Sequence, residues 1–406
     1  MSEDICQDDL NIVNSGVEPE IIDENIVNEF PFNPNEINIQ IIPRTIGQLV
    51  DMLEYDEIII PDFQRSADLW KPYQKSRFIE SLMLKLPIPL FYFAESENKN
   101  WIVIDGLQRI STLKQFILNG EKNSHDPLVL NNLEFRKEYN GKTWRDLPHE
   151  MKRRINTNQI TINLIGKETP KVVQYTIFSR INQASVTLTS QEIRTALFQG
   201  FQIDFLNELV SENTPSGLAF NRATDSSISD RRQENLDFAS RFIAFYLKGY
   251  ETYSPDMEAF LLEGTKAIPN QRQQQQQILD EFTQAMWFAH DLFGGNAFRK
   301  PSYGVRRNPI NKSLFEVMSV QFAHLTQEDK QKISNSKNQF ITRFNDLFDR
   351  VLPSDASISD GYIEIPKQNN LDRDRFIAAI SVGTAAPDKV KFRHERFKNL
   401  LSEFTQ

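Results

Sequence analysis

Trp101-Ile102-Val103-Ile104-Asp105-Gly106-Leu107-Gln108-Arg109 is the stretch that decides the reading of this chain. A β-branched apolar run stops at Asp-Gly, and Ile110, Leu113, Phe116 and Ile117 then recur at helical spacing, so a strand turns directly into a helix. Asp105, Gln108 and Arg109 therefore crowd one helix N-terminus, where unpaired N–H groups and a positive dipole end suit a phosphate. Arg109 can add a planar two-pronged donor. The plainer alternative is that Asp105 caps the helix and Arg109 is a solvated surface charge.

A second strand end repeats the chemistry. Ile58-Ile59-Ile60 runs into Pro61-Asp62-Phe63 and delivers Gln64-Arg65, so two Gln-Arg corners could face one pocket. Between the corners, Pro72 opens a helix whose buried side is marked by Phe78, Ile79, Leu82, Met83 and Leu86, and Pro87 and Pro89 end it. Leu90 to Ala94 and Trp101 to Asp105 read as a hairpin joined by the polar turn Glu95 to Asn100.

In this order, "PDFQR", "FIESLMLKLPIPLFYF" and "VIDGLQRISTLKQFI" resemble the N-terminal domain family of GmrSD-type modification-dependent restriction enzymes, itself related to the ParB/sulfiredoxin fold. The family signature Asp-Gly-Gln-Gln-Arg stands here as Asp105-Gly106-Leu107-Gln108-Arg109, with Leu107 replacing the first glutamine. Phe178-Ser179-Arg180-Ile181-Asn182 and Leu188 to Arg194 resemble a further family block, although Thr189 with Glu192 is also an ordinary capping box. Asp230-Arg231-Arg232 and Phe293 to Arg299 resemble the family's helical half more weakly.

The resemblance implies an α+β protein: a ParB/sulfiredoxin-like mixed α/β domain over 38–168, after an acidic tail over 1–37, and a mainly helical domain over 169–406. It implies a bacterial restriction or anti-phage subunit that binds, and often hydrolyses, a nucleoside triphosphate with a divalent metal such as Mg²⁺. Gln64, Arg65, Asp105, Gly106, Gln108, Arg109, Arg180 and Asn182 would line the nucleotide site, with Asp105, Gln108 and Arg109 catalytic. Phosphoryl transfer asks mainly for positioned positive charge and a held metal, so this residue set suits it. Asp105 could hold Mg²⁺ through water or orient an attacking water, and both roles stay open. No Walker-type Gly-x-x-x-x-Gly-Lys-Ser/Thr stretch occurs, which disfavours a P-loop enzyme. Two other classes remain: a ParB-like module that senses nucleotide or modified DNA without turnover, and a scaffold whose site has decayed, for which Leu107 is the clue.

A His-Asn-His nuclease usually completes such systems, but His125, His149, His290, His324 and His394 form no metal-ligand pattern. DNA cleavage is therefore expected from a separate nuclease or toxin partner. The net charge of -9 argues against a broad electrostatic grip on DNA. DNA binding would need local patches such as Lys152-Arg153-Arg154, Arg231-Arg232, Arg299-Lys300 with Arg306-Arg307, or Arg393 to Lys398. The lone Cys6 excludes an internal disulfide. No run approaches the roughly 20 apolar residues of a membrane span, and the start lacks a signal-peptide pattern, so a cytoplasmic protein is expected.

Residues before Arg44 include no Lys or Arg, so the first thirty or so read as loosely attached, or as an acidic arm that could cover a basic surface. Ile160 to Ile165 reads as a strand, followed by helices over 172–178, 191–197, 206–210, 236–247 and 278–292, with Gln271 to Gln277 on an exposed helix. Ser211 to Ser229 reads as a loop, and further helices run over 311–325, 330–351, 376–380 and 392–404.

Overall fold

The computed structural model describes residues 16–20, 37–59, 70–96, 99–122, 127–182, 189–198, 200–302, 307–348, 358–359, 362–363 and 371–405. The protein is α+β and 63% helical. It divides into two compact units at Leu197/Phe198, with Gly16 to Glu20 belonging to the second.

The first unit is built on a five-stranded mixed sheet of β1 (Ile39–Thr45), β2 (Ile58–Ile59), β3 (Phe91–Glu95), β4 (Trp101–Asp105) and β5 (Gln159–Ile165), ordered β1-β5-β3-β4-β2. The expected hairpin is present as antiparallel β3 and β4, with a register shift at Tyr92/Phe93. β5 runs parallel to β3 and antiparallel to β1, and β2 runs parallel to β4. Helices α1 (Ile46–Glu54) and α2 (Pro72–Leu84) cover the sheet, and Ile46, Leu49, Phe78, Ile79, Leu82, Phe91, Phe93 and Val103 share its core. Pro72 is in the first turn of α2 as read, but Leu86 is exposed. Lys85 adopts a left-handed conformation (φ 56°) that ends the helix, so Leu86 leaves the buried face.

After β4, α3 (Leu107–Leu113) continues through a π-helical turn (Lys114–Leu118) into Asn119–Lys122, and Ile110, Leu113, Phe116 and Ile117 are all buried. The long loop before α4 (His149–Asn156) is fastened by Glu80, whose buried carboxylate accepts from the backbone N–H groups of Glu134, Phe135 and Arg136 at 3.0, 2.7 and 2.7 Å. Burial raises the Glu80 pKa, yet these bonds outweigh it and the net shift is downward. α5 (Lys171–Asn182) and α6 (Ser190–Leu197) complete this unit, and the Thr189/Glu192 capping box forms at 3.1 and 2.7 Å.

The second unit is helical: α7 (Phe201–Val210), α8 (Pro215–Thr224), α9 (Glu234–Lys248), α10 (Met257–Lys266), α11 (Arg272–Phe293), α12 (Lys312–His324), α13 (Gln327–Asn335), α14 (Lys337–Asn345), α15 (Leu371–Ser381) and α16 (Pro387–Thr405). The expected loop at 211–229 is wrong at its centre. Thr214 caps α8 through Gly217 N–H, Pro215 opens it, and Phe220 and Ala223 are fully buried, so loop-type residues there are start signals. The single helix expected over 330–351 is broken at Ser336 into α13 and α14. The glutamine run does lie on a helix, with Gln276 and Gln277 exposed and Gln275 buried. Residues 16–20 are not loosely attached: Val17 is 6% exposed and bridges Ile310. Among the described residues no helix is long and apolar enough to cross a membrane.

Candidate functional site

β4 ends at Asp105, and the chain turns at Gly106 in a left-handed conformation (φ 101°) that favours glycine. A Cβ there would sit 2.5 Å from the Phe91 ring, so glycine is required by space as well. Gly106 is the N-cap of α3, with no side-chain cap bond; Asp105 therefore does not cap the helix. The first helical bond is Ile110 N–H to Gly106 O, 2.8 Å, which leaves the preceding N–H groups without intrahelical partners.

Arg109 is neither solvated nor poised at a surface; its residue exposure is 7%. Nη1 donates to Pro89 O, and Nη2 donates to Leu90 O at 3.0 Å and to Asp105 Oδ2 at 2.8 Å. The guanidinium carbon lies 4.4 Å from the Phe91 ring centroid. Burial lowers the Arg109 pKa, with the Asp105 carboxylate opposing the shift. Arg109 thus ties the lead-in to β3 to the start of α3, and its charge is met by Asp105. The Asp105 side chain retains 29% exposure, and its other oxygen has no partner among the described residues.

Gln108 is half-buried and accepts from Trp70 N–H at 3.2 Å. Gln64 and Arg65 lie outside the described residues. Leu107 packs against the hydrophobic core. Arg180 is exposed on the last turn of α5; Asn182 ends that helix, and its side chain lies outside the described residues. The structure therefore brings Asp105, Gly106, Gln108 and Arg109 into one corner. A hollow of about 490 Å³ lined by Arg44, Gln48, Asp51, Glu57, Lys99 and Trp101 opens at the other end of β4, roughly 13 Å along the strand from Asp105.

Two of the candidate basic patches each lose an arginine to the interior, while Arg307 and Lys398 in them stay exposed. Arg299 is buried and donates to Gly295 O, Asn308 O, Thr224 O and Ser227 Oγ; burial lowers its pKa to about 10. Arg307 pairs with Asp225 at 2.6 Å, and Arg393 is fully buried on Glu316 at 2.7 Å. Arg153 and Arg154 on α4 remain exposed. A polar network that sequence reading missed sits in the second unit, where the buried carboxylate of Glu316 accepts from Arg393, His394 and Arg241. His394 stacks between Phe245 and Tyr250, in keeping with a packing role. Among the described residues, no cluster of His, Cys, Asp or Glu could hold a metal unaided.

A mixed sheet whose strand end, left-handed glycine and uncapped helix start surround one half-exposed carboxylate defines an α+β domain with a candidate anion corner. Residues 46–199 match the family model described as GmrSD restriction endonuclease, N-terminal domain, as the motifs implied. That family suggests a restriction- or defence-related protein. The match ends beside the Leu197/Phe198 boundary, so the helical unit lies almost wholly outside it. Neither a curated protein nor a solved structure matches the chain.

Proposed function

We propose that the chain is the nucleotide-binding, NTP-hydrolysing subunit of a restriction or anti-phage system that acts with a separate nuclease or toxin partner. The observation that supports this reading most is the Asp105 carboxylate, held by Arg109 at 2.8 Å at a helix start without a side-chain cap, with its side chain partly exposed. Mg²⁺ commonly binds through one or two carboxylates with the remainder supplied by water and substrate phosphates, so Asp105 alone fits it without a protein cage. When bound, the metal would neutralise phosphate charge. Arg109 then serves as a positioning residue for Asp105. Gln108 holds the Trp70 backbone, and Arg65 and Arg180 are the cations proposed to meet phosphates.

Titration of the purified chain with the common nucleoside triphosphates, with and without Mg²⁺, tests the reading. Asp105→Asn is expected to retain nucleotide binding within a few-fold while Mg²⁺-dependent phosphate release falls by at least a hundredfold. Equal release in variant and parent removes Asp105 from the chemistry. The alternative is a ParB-like module that senses nucleotide or modified DNA without turnover; Leu107, standing where the family has glutamine, is the clue to a third reading, a scaffold whose site has decayed. Binding without phosphate release in the parent selects the module.

A further inference from the structure

Gly16-Val17-Glu18-Pro19-Glu20 brings two carboxylates, and no other charged side chain, against the helical unit. Its backbone is docked by Glu18 N–H to Ile310 O at 2.7 Å and Ile310 N–H to Gly16 O at 2.9 Å. Glu18 accepts from Lys300 Nζ at 2.5 Å and from Asn311 Nδ2 at 3.0 Å. Glu20 accepts from Arg241 Nη2 at 2.5 Å and from Thr384 Oγ1 at 3.3 Å, with Lys312 Nζ 4.0 Å away.

Charge and geometry give this cradle an anion preference of its own. Arg241, Lys300, Lys312 and Arg393 make ion pairs with Glu18, Glu20, Asp237 and Glu316; without the two arm residues, four cations keep ion pairs to only two carboxylates, and Glu234 acts on Lys312 from further off. Glu258 also acts on Arg241 electrostatically, without an ion pair to it. Asn311 is the N-cap and Lys312 the first residue of α12, so the positive end of a 13-residue helix dipole points into the same place. Glu18 and Glu20 are two residues apart, about 6.6 Å in extended chain, comparable with neighbouring phosphates on a nucleic-acid strand.

We infer that Glu18 and Glu20 stand in for phosphates, and that the helical unit carries a second anion site, formed by Arg241, Lys300 and Lys312 with Asn311 and Thr384, which takes the phosphates of a nucleic-acid strand or a free polyphosphate when the arm leaves. The site is separate from the Asp105 corner and does not rest on the nucleotide reading.

Two full-chain variants release it by different means. Gly16→Ala places a Cβ 2.5 Å from Ser227 O at a φ of +72°, which unseats the arm with both carboxylates intact. Glu18→Gln/Glu20→Gln keeps the shape and removes the charge. Each is titrated with tripolyphosphate by calorimetry and with a labelled oligo-dT strand by fluorescence anisotropy. If the arm fills the site about 90% of the time or more, apparent affinity rises about tenfold or more on its release. The probe that gains identifies the ligand source, and Lys300→Gln added to the double variant abolishes the gain. No gain for either probe in both variants, or a gain that survives Lys300→Gln, overturns the proposal. Loss of cooperative folding in both variants without any gain also overturns it and makes the arm a structural strap. Phosphate release at the Asp105 corner is expected to be unchanged in all of them, so failure here is distinguishable from failure there.

Discussion

Arg109→Ala is expected to damage the sheet unit before it damages ligand binding. The substitution removes a buried guanidinium that serves Pro89 O, Leu90 O and Asp105, together with its stacking on Phe91. Removing one partner of a buried charged pair costs about 3–5 kcal/mol. Asp105 keeps 29% side-chain exposure and Leu90 is itself exposed, so solvent recovers part of that and the lower end, about 3 kcal/mol, is expected. Trp70, Trp101 and Trp144 all lie in the sheet unit and only Trp287 lies outside it, so denaturant unfolding followed by tryptophan fluorescence reads mainly the affected unit. Arg109→Lys should lose a similar amount, because one ammonium cannot reach three acceptors in a planar fork. An unshifted unfolding midpoint with a ten- to hundredfold loss of nucleotide affinity would show that Arg109 is a phosphate prong and that the clamp argument is wrong.

Other substitutions test the packing and the charge network. Gly264→Ala would place a Cβ 2.5 Å from Ala244 Cα and Cβ, forcing α10 from α9 at a cost of about 1–3 kcal/mol, measured as a shift in the denaturation midpoint; a neutral result contradicts the close approach. Leu107→Gln, which restores the family residue, should lower stability by about 1–2 kcal/mol and leave nucleotide affinity within twofold, because Leu107 packs on the core; calorimetry with the triphosphate decides. Acid should weaken the helical unit in two steps. Burial lowers the His394 pKa below 6.5, so the unfolded chain takes up that proton first and stability falls as pH drops below about 6.5. Burial raises Glu316, but Arg393, His394 and Arg241 bring it down to about 2 from 4.5, so a further loss follows between those values. His394→Gln should shrink the upper step and leave the lower one, the remainder coming from His324, whose pKa burial also lowers; an unchanged upper step would remove His394 from it.

The strand–glycine–helix corner was legible because each step leaves a local mark: a β-branched run, a glycine in a left-handed turn, then apolar residues at helical spacing. The hairpin and the Thr189/Glu192 box were legible for the same reason, since capping and strand pairing across a short turn are short-range. Arg109 was misjudged because its partners are carbonyls of Pro89 and Leu90, about twenty residues upstream, and a carbonyl acceptor carries no side-chain signature. Glu80 shows the same limit, although its position between Ile79 and Leu82 on the buried face of α2 was a usable clue. The segment at 211–229 misled because Thr, Pro and Ser serve both loops and helix starts; the apolar spacing of Ala219, Phe220 and Ala223 was the signal that separates them.

The charge pattern gives the two units one logic. Basic residues that look like surface patches in the sequence are drawn inward: Arg109 onto Asp105, Arg299 onto carbonyls, Arg393 onto Glu316, and Lys300 onto Glu18. A guanidinium suits this because its fork can satisfy several carbonyls at once and is more weakly hydrated than an ammonium. A chain of net charge -9 has little overall attraction for DNA, whose strength follows the number of phosphates neutralised. The phosphate contacts proposed above would then rest on a few prearranged sites rather than on overall charge. Asp105 at an uncapped helix start, and the cationic cradle beneath Glu18 and Glu20, are the two places in the described structure where the arrangement provides for it.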